Sequence, residues 1–126
     1  MMGRRGVSEG VVDQVVTGLI EQGYLDDEQF ARGFVEDRRQ LDGWGTERIA
    51  RRLEAAGIAP EVYERALARA PGHELEAAVD VLARRLRAAP ADDAARHRAL
   101  GLLVRKGYDL DLAYEAVRTF ERARAS

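Results

Sequence analysis

A chain of 126 residues, 46% hydrophobic and 33% charged, can build one ordinary domain or a short repeat array with a thin core. It has no cysteine, which excludes disulfides, thiolate metal sites and cysteine nucleophiles and fits a reducing compartment. No apolar run approaches the roughly 20 residues that span a bilayer, and no signal-peptide hydrophobic region follows Met1-Met2-Gly3-Arg4-Arg5; a soluble, cytoplasmic protein is expected, and its net charge of −2 excludes a global basic field.

Every segment reads as helix. Val11, Val12, Val15, Val16, Leu19 and Ile20 recur as pairs every four residues, a helical stripe that ends at Gly23. Asp26 has the side chain to cap the next helix, with Gln29 in capping-box register and Phe30, Ala31, Phe34 and Val35 as its buried face. Gly43 and Gly45 bracket Trp44 in a turn. Thr46 is placed to cap a helix carrying Ile49, Leu53 and Ala56, and Gly57 stands where a left-handed C-terminal residue is expected. Pro60 fits the first turn of a helix that turns Val62, Tyr63, Ala66 and Leu67 inward.

Pro71-Gly72 breaks the chain again. Leu75, Ala78, Val79, Leu82 and Leu86 form the clearest amphipathic stripe, which Ala89-Pro90 should end. A helix through Ala99, Leu100 and Leu103 runs to Gly107. The last, opened by Asp109, carries Leu112, Ala113, Ala116, Val117 and Phe120. Seven helices are expected.

Three of the boundaries repeat. Gly6, Gly57 and Gly107 are spaced by 51 and 50 positions. The fifth residue after each is Val11, Val62 or Leu112, the ninth Val15, Ala66 or Ala116, and the tenth Val16, Leu67 or Val117. Self-similarity at a fixed period means stacked supersecondary units that bury one another's apolar faces. The expected architecture is all-α, with tandem three-helix repeats in an elongated, curved array. Residues 1–24 would be the last helix of a first repeat, 25–71 the second repeat and 72–126 the third. The array would then begin mid-repeat.

Charge is distributed unevenly. Residues 20–37 carry a net −5 and residues 81–106 a net +5. Almost every base is arginine, whose fork suits carboxylate and phosphate. Two groups are candidates for contact with phosphate or an acidic protein surface. Arg38, Arg39, Arg48, Arg51 and Arg52 flank the Gly43-Trp44-Gly45 turn, with Trp44 as an aromatic anchor. Arg84, Arg85, Arg87, Arg96, Arg98, Arg105 and Lys106 form the larger basic region. A solvated face, with Trp44 packed between helices, is the alternative for the first group.

Catalytic chemistry finds little support. Asp26, Asp27 and Glu28 point about 100° apart on a helix and do not converge; like Asp92-Asp93, they suit a helix N-terminus. His73 and His97 have no visible company for a zinc site, and Ser8 and Ser126 offer no triad. No cofactor, metal or enzymatic activity is expected.

Residues 19–31, Leu-Ile-Glu-Gln-Gly-Tyr-Leu-Asp-Asp-Glu-Gln-Phe-Ala, are similar to the most recognisable stretch of the RecX family of RecA regulators. Arg38, Gly45, Arg48-Ile49, Leu53, Gly57-Ile58 and Ala66-Leu67 follow the order of its second repeat. Leu103, Arg105-Lys106-Gly107-Tyr108 and Ala116-Val117 follow its third. The resemblance covers roughly residues 4 to 120. It implies a non-catalytic protein that binds the groove of RecA filaments on single-stranded DNA and inhibits ATP hydrolysis, coprotease activity and strand exchange. It also makes the arginines, Lys106 and Trp44 candidate RecA contacts. The family has further helices before the position of Gly6. The acidic net charge shifts weight from direct DNA contact to protein contact, in a protein expected to be monomeric. Two other classes remain open: a stand-alone DNA-binding module using Gly43–Gly57 as turn and recognition helix, and a helical adaptor for another protein.

Overall fold

The computed structural model of the chain describes residues 26–125. The expected helix through Val11 and Ile20, the glycines Gly6 and Gly23, and the start of the array lie outside the described residues. Within them, α1 occupies residues 26–37 and continues as a π-helical turn, Arg38–Asp42. It is followed by α2 (Thr46–Ala55), α3 (Pro60–Leu67), α4 (His73–Arg85), α5 (Asp93–Lys106) and α6 (Leu110–Ala125). No strand occurs among the described residues, and the all-helical expectation holds.

The chain forms two compact units. The described part of the first is residues 26–37 with Ala50–Ala68; the second is Arg38–Ile49 with Arg69 onward. In the first unit, Ala31 and Val35 share the buried stripe of α1 through their four-residue spacing. Leu53, Ile58, Val62 and Leu67 are buried from α2, the following turn and α3. Phe30 departs from expectation: it is 46% exposed. It precedes Ala31 by about 100° of helix rotation, which places it at the edge of the stripe, where its ring stacks on Phe34 at 5.9 Å. Ala56 is also exposed. Asp26 is already helical, so the start of α1 and its cap fall outside the described residues.

The second unit is a bundle of α4, α5 and α6, with α6 packed on both of the others. Ala78, Val81, Leu82, Ala99, Leu103, Tyr108, Ala113, Ala116, Val117 and Phe120 make its core. Asp92 caps α5 by accepting from Ala95 N–H at 2.9 Å, and Asp109 accepts from the Asp111 and Leu112 amides at the start of α6. Helix α4 ends at Arg85, before the Ala89-Pro90 stop. Leu86 turns extended there (φ −112°, ψ 134°) and packs on the core. The helix stops here although Arg85, Arg87, Ala88 and Ala89 around this partly buried leucine are good helix formers.

Two of the repeated glycines, Gly57 and Gly107, have one physical explanation. At the end of α5, Gly107 N–H donates to Val104 C=O (3.0 Å) and Tyr108 N–H to Leu103 C=O (3.0 Å). At the end of α2, Gly57 N–H donates to Glu54 C=O (3.0 Å) and Ile58 N–H to Leu53 C=O (3.0 Å). Both are Schellman caps with a left-handed glycine, φ 105° and 88°. In each, the apolar residue after the glycine is buried, as is the leucine that accepts its amide. The helix stops predicted at Gly57 and Gly107 are thus equivalent points of two corners.

Candidate interaction surface

Within the second unit, the sequence-predicted arginines fall at two ends of the bundle. One end is a junction of the Arg38–Ile49 segment, the start of α4 and the α5–α6 corner. Here the first turn of α2 lies head to tail against the last turn of α5: Gly45 N–H donates to Lys106 C=O at 2.7 Å and Glu47 N–H to Gly107 C=O at 2.9 Å. The amides left over at one helix start meet the carbonyls left over at another's end, so the two helix dipoles are aligned favourably. The fit leaves no room for side chains. A Cβ on Gly45 would sit 2.5 Å from the Gly107 carbonyl oxygen, and one on Gly107 would sit 2.3 Å from Arg48 Cβ.

Glu74 completes this cap. Its carboxylate accepts from Thr46 N–H (2.7 Å) and from the Thr46 hydroxyl (3.0 Å). Thr46, the expected N-cap, is instead the first helical residue, and its cap comes from 28 residues downstream. Arg69 pairs with Glu74 at 2.7 Å, and Arg39 donates to Thr46 Oγ1 at 3.0 Å. Burial, then the neighbouring Arg69, lower the Arg39 pKa. Tyr108 donates its hydroxyl to Gly43 C=O at 3.1 Å. Burial, reinforced by Glu74, pushes its pKa up to about 12.

Most candidates of the first basic group are used inside this junction. Arg38 pairs with Asp42. Arg48 lies over the Trp44 ring at 4.0 Å and donates to Arg105 C=O at 3.1 Å. Lys106 donates to Asp42 C=O at 2.7 Å. Trp44 is half-buried between Arg38 and Arg48. Arg105 is exposed on the last turn of α5.

The other end holds the close of α4, the loop 86–92, the start of α5 and the close of α6. Two contacts bring these together: Arg96 Nε to Glu121 at 2.6 Å, and Arg124 to Arg87 C=O at 3.1 Å. Residues 84–98 and 121–125 carry seven arginines against Asp92, Asp93 and Glu121. Arg96 takes two of those acids, since it also pairs with Asp93 at 2.7 Å, and its pKa is raised chiefly by the Glu121 hydrogen bond. Arg84 lies 3.6 Å from Asp80, both well exposed. Arg85, Arg87 and Arg98 are exposed and form no ion pair among the described residues. Between the loop and α5 runs a groove whose lining includes Leu86, Pro90, Ala95 and Arg98.

In the first unit, Arg51 and Arg52 are exposed on α2. Arg52 borders a shallow apolar pocket with Phe30, Phe34 and Leu53. Glu28 of the same unit pairs with Arg65 and lies 3.9 Å from Arg32.

The sequence reading missed Glu74, Tyr108, Arg122 and Arg124. Nothing local marks Glu74 as a cap for residue 46. The α6 arginines could have been assigned by folding α6 back antiparallel to α5, which sets residues 121–124 beside residues 87–96. Among the described residues no group of three or more His, Asp or Glu could hold a metal ion, and no helix is long and apolar enough to cross a membrane. The loop end is an arginine-rich surface with an apolar slot; the junction is a structural lock.

Comparison with known proteins gives a consistent result. The family model for the second three-helix domain of RecX matches residues 26–67. A protein named regulatory protein RecX from Mycobacterium sp. (strain JLS) is 34% identical over 121 residues, 90% of this chain and 66% of that protein. Its namesake in Streptomyces coelicolor is 31% identical over 118 residues, 91% of this chain and 63% of that protein. The one in Trichlorobacter lovleyi is 35% identical over 104 residues, 79% of this chain and 68% of that protein. The chain therefore spans slightly less than two thirds of the mycobacterial and streptomycete relatives it matches.

Proposed function

Because the chain belongs to the RecX family of regulatory proteins, we propose that it binds RecA filaments on single-stranded DNA and restrains their ATP hydrolysis, coprotease activity and strand exchange. It does so without a reaction of its own, as a cytoplasmic monomer acting in recombinational DNA repair and the SOS response. The observation that carries this reading is the similarity to proteins named regulatory over about 90% of the chain. The division into repeats at 25–71 and 72–126 belongs to the same proposal.

Within the second unit, Arg84, Arg85, Arg87 and Arg98 are the residues offered to the filament, and Arg51 and Arg52 are those of the first. Arg38, Arg39, Trp44, Arg48 and Lys106 act in positioning, since their polar groups and rings are engaged in the junction. A regulator that touches neighbouring protomers at once gains from linked binding events. If it prefers one protomer spacing, it shifts the filament toward that state and slows the ATP-driven cycle.

The rival DNA-reading module is less well supported. A recognition helix reads base edges with its N-terminal residues, and those of α2 are capped by Glu74, Lys106 and Gly107. The test is ATP turnover by RecA on single-stranded DNA with this protein titrated in, together with co-sedimentation. Falling turnover with co-sedimentation is the expected result. Unchanged turnover with no co-sedimentation discards the reading.

A further inference from the structure

The groove at the loop end of the second unit combines two properties that a bare phosphate-binding face does not need together. Its floor is apolar and built from short side chains: Leu86, Ala89 and Pro90 from the loop, Ala95 and Leu102 from α5. Methyl groups and a proline ring leave the gap between loop and helix unfilled, so the slot accepts the side chain of another molecule. Its wall is cationic. Arg98 lines the groove, and Arg85 and Arg87 flank Leu86 in the chain. None of these three has an ion pair among the described residues, whereas Arg96 beside them is satisfied by Asp93 and Glu121.

Charge complementarity selects the occupant. A nucleic-acid backbone would meet the arginines but leave the slot empty. A neutral apolar peptide would fill the slot but leave the arginines unused. We propose that this groove docks an acidic polypeptide segment, which inserts an aliphatic side chain between the loop and α5 and sets flanking carboxylates on Arg85, Arg87 and Arg98. The arginine fork suits bidentate carboxylate recognition, and a central apolar anchor with a charged rim is the usual anatomy of such contacts. The assignment goes beyond filament regulation. Its test contains no RecA, so its failure and that of the filament reading are separable.

The experiment measures fluorescence anisotropy of three labelled probes on the full chain: a glutamate-rich peptide with two leucines on one helical turn, the same peptide with serine for leucine, and oligothymidylate. The leucine peptide is expected to bind at least about tenfold more tightly than the serine peptide. Ala95→Glu, which fills the slot and adds like charge, should weaken it by a similar factor. Arg98→Ala should weaken it and flatten its salt dependence. Arg98 is exposed, so that variant decides the matter even where a thermal melt shows Ala95→Glu unfolded. Equal binding of the serine peptide, or undiminished binding by a folded Ala95→Glu variant, would overturn the proposal. So would oligothymidylate binding as tightly as the leucine peptide and displacing it, or self-association abolished by Ala95→Glu, which reassigns the groove to a second copy.

Discussion

The two ends of the α4–α5–α6 bundle are built from the same kinds of residue and use them in opposite ways. At the junction, Arg39, Arg48, Arg69 and Lys106 are tied to a hydroxyl, two carbonyls and a carboxylate of their own unit. At the loop end, Arg85, Arg87 and Arg98 stand exposed with no ion pair among the described residues. Arginine density therefore does not distinguish a lock from a landing surface. What distinguishes them is whether the fold brings acceptors to the same place.

That contrast is open to attack in order of expected effect. Gly45→Ala should be the most damaging substitution, because its methyl would sit 2.5 Å from a backbone carbonyl that cannot move independently. A loss of about 3–4 kcal/mol in a urea titration is expected, at the upper range for single changes. Glu74→Ala removes the cap on Thr46 and leaves Arg69 without its carboxylate acceptor; a loss of about 2–3 kcal/mol should appear in the same titration.

Tyr108→Phe should cost about 1 kcal/mol at neutral pH, since Gly43 C=O loses its donor. It also has a pH signature. The folded pKa is raised from 10.0 to about 12, so the stabilisation is complete below the unfolded value and is lost as pH rises through the folded one. Thermal melts of the parent should weaken between those two values, and those of Tyr108→Phe should lack that share of the decline. Smallest in stability is the combined Arg85→Ala, Arg87→Ala, Arg98→Ala variant, within about 0.5 kcal/mol of the parent. It should nevertheless lose filament binding in co-sedimentation. A large stability loss in that variant would place these arginines with the junction.

Much of the fold was legible because it is written locally. The glycine at each of the two corners and the capping aspartates Asp92 and Asp109 are short-range signals, and the structure realises each as read. The errors arose where distant residues compete. Thr46 seemed a cap by its type, yet Glu74 does the capping; Leu86 left its helix to reach the core. Phe30 was placed on the buried face by its apolarity alone, although helical rotation sets it at the rim. The basic groups were visible as composition. Their sorting into engaged and unengaged arginines depends on which backbone carbonyls face them, and no spacing rule encodes that.

The head-to-tail meeting of α5 with α2 has a consequence for biosynthesis. Amides at Gly45 and Glu47 wait for carbonyls at Lys106 and Gly107, which a ribosome adds some sixty residues later. The opening turn of α2 is therefore left unfinished on the nascent chain until residue 107 has been added. A product cut short before that point carries a helix start whose amides have no carbonyls from α5 to meet them.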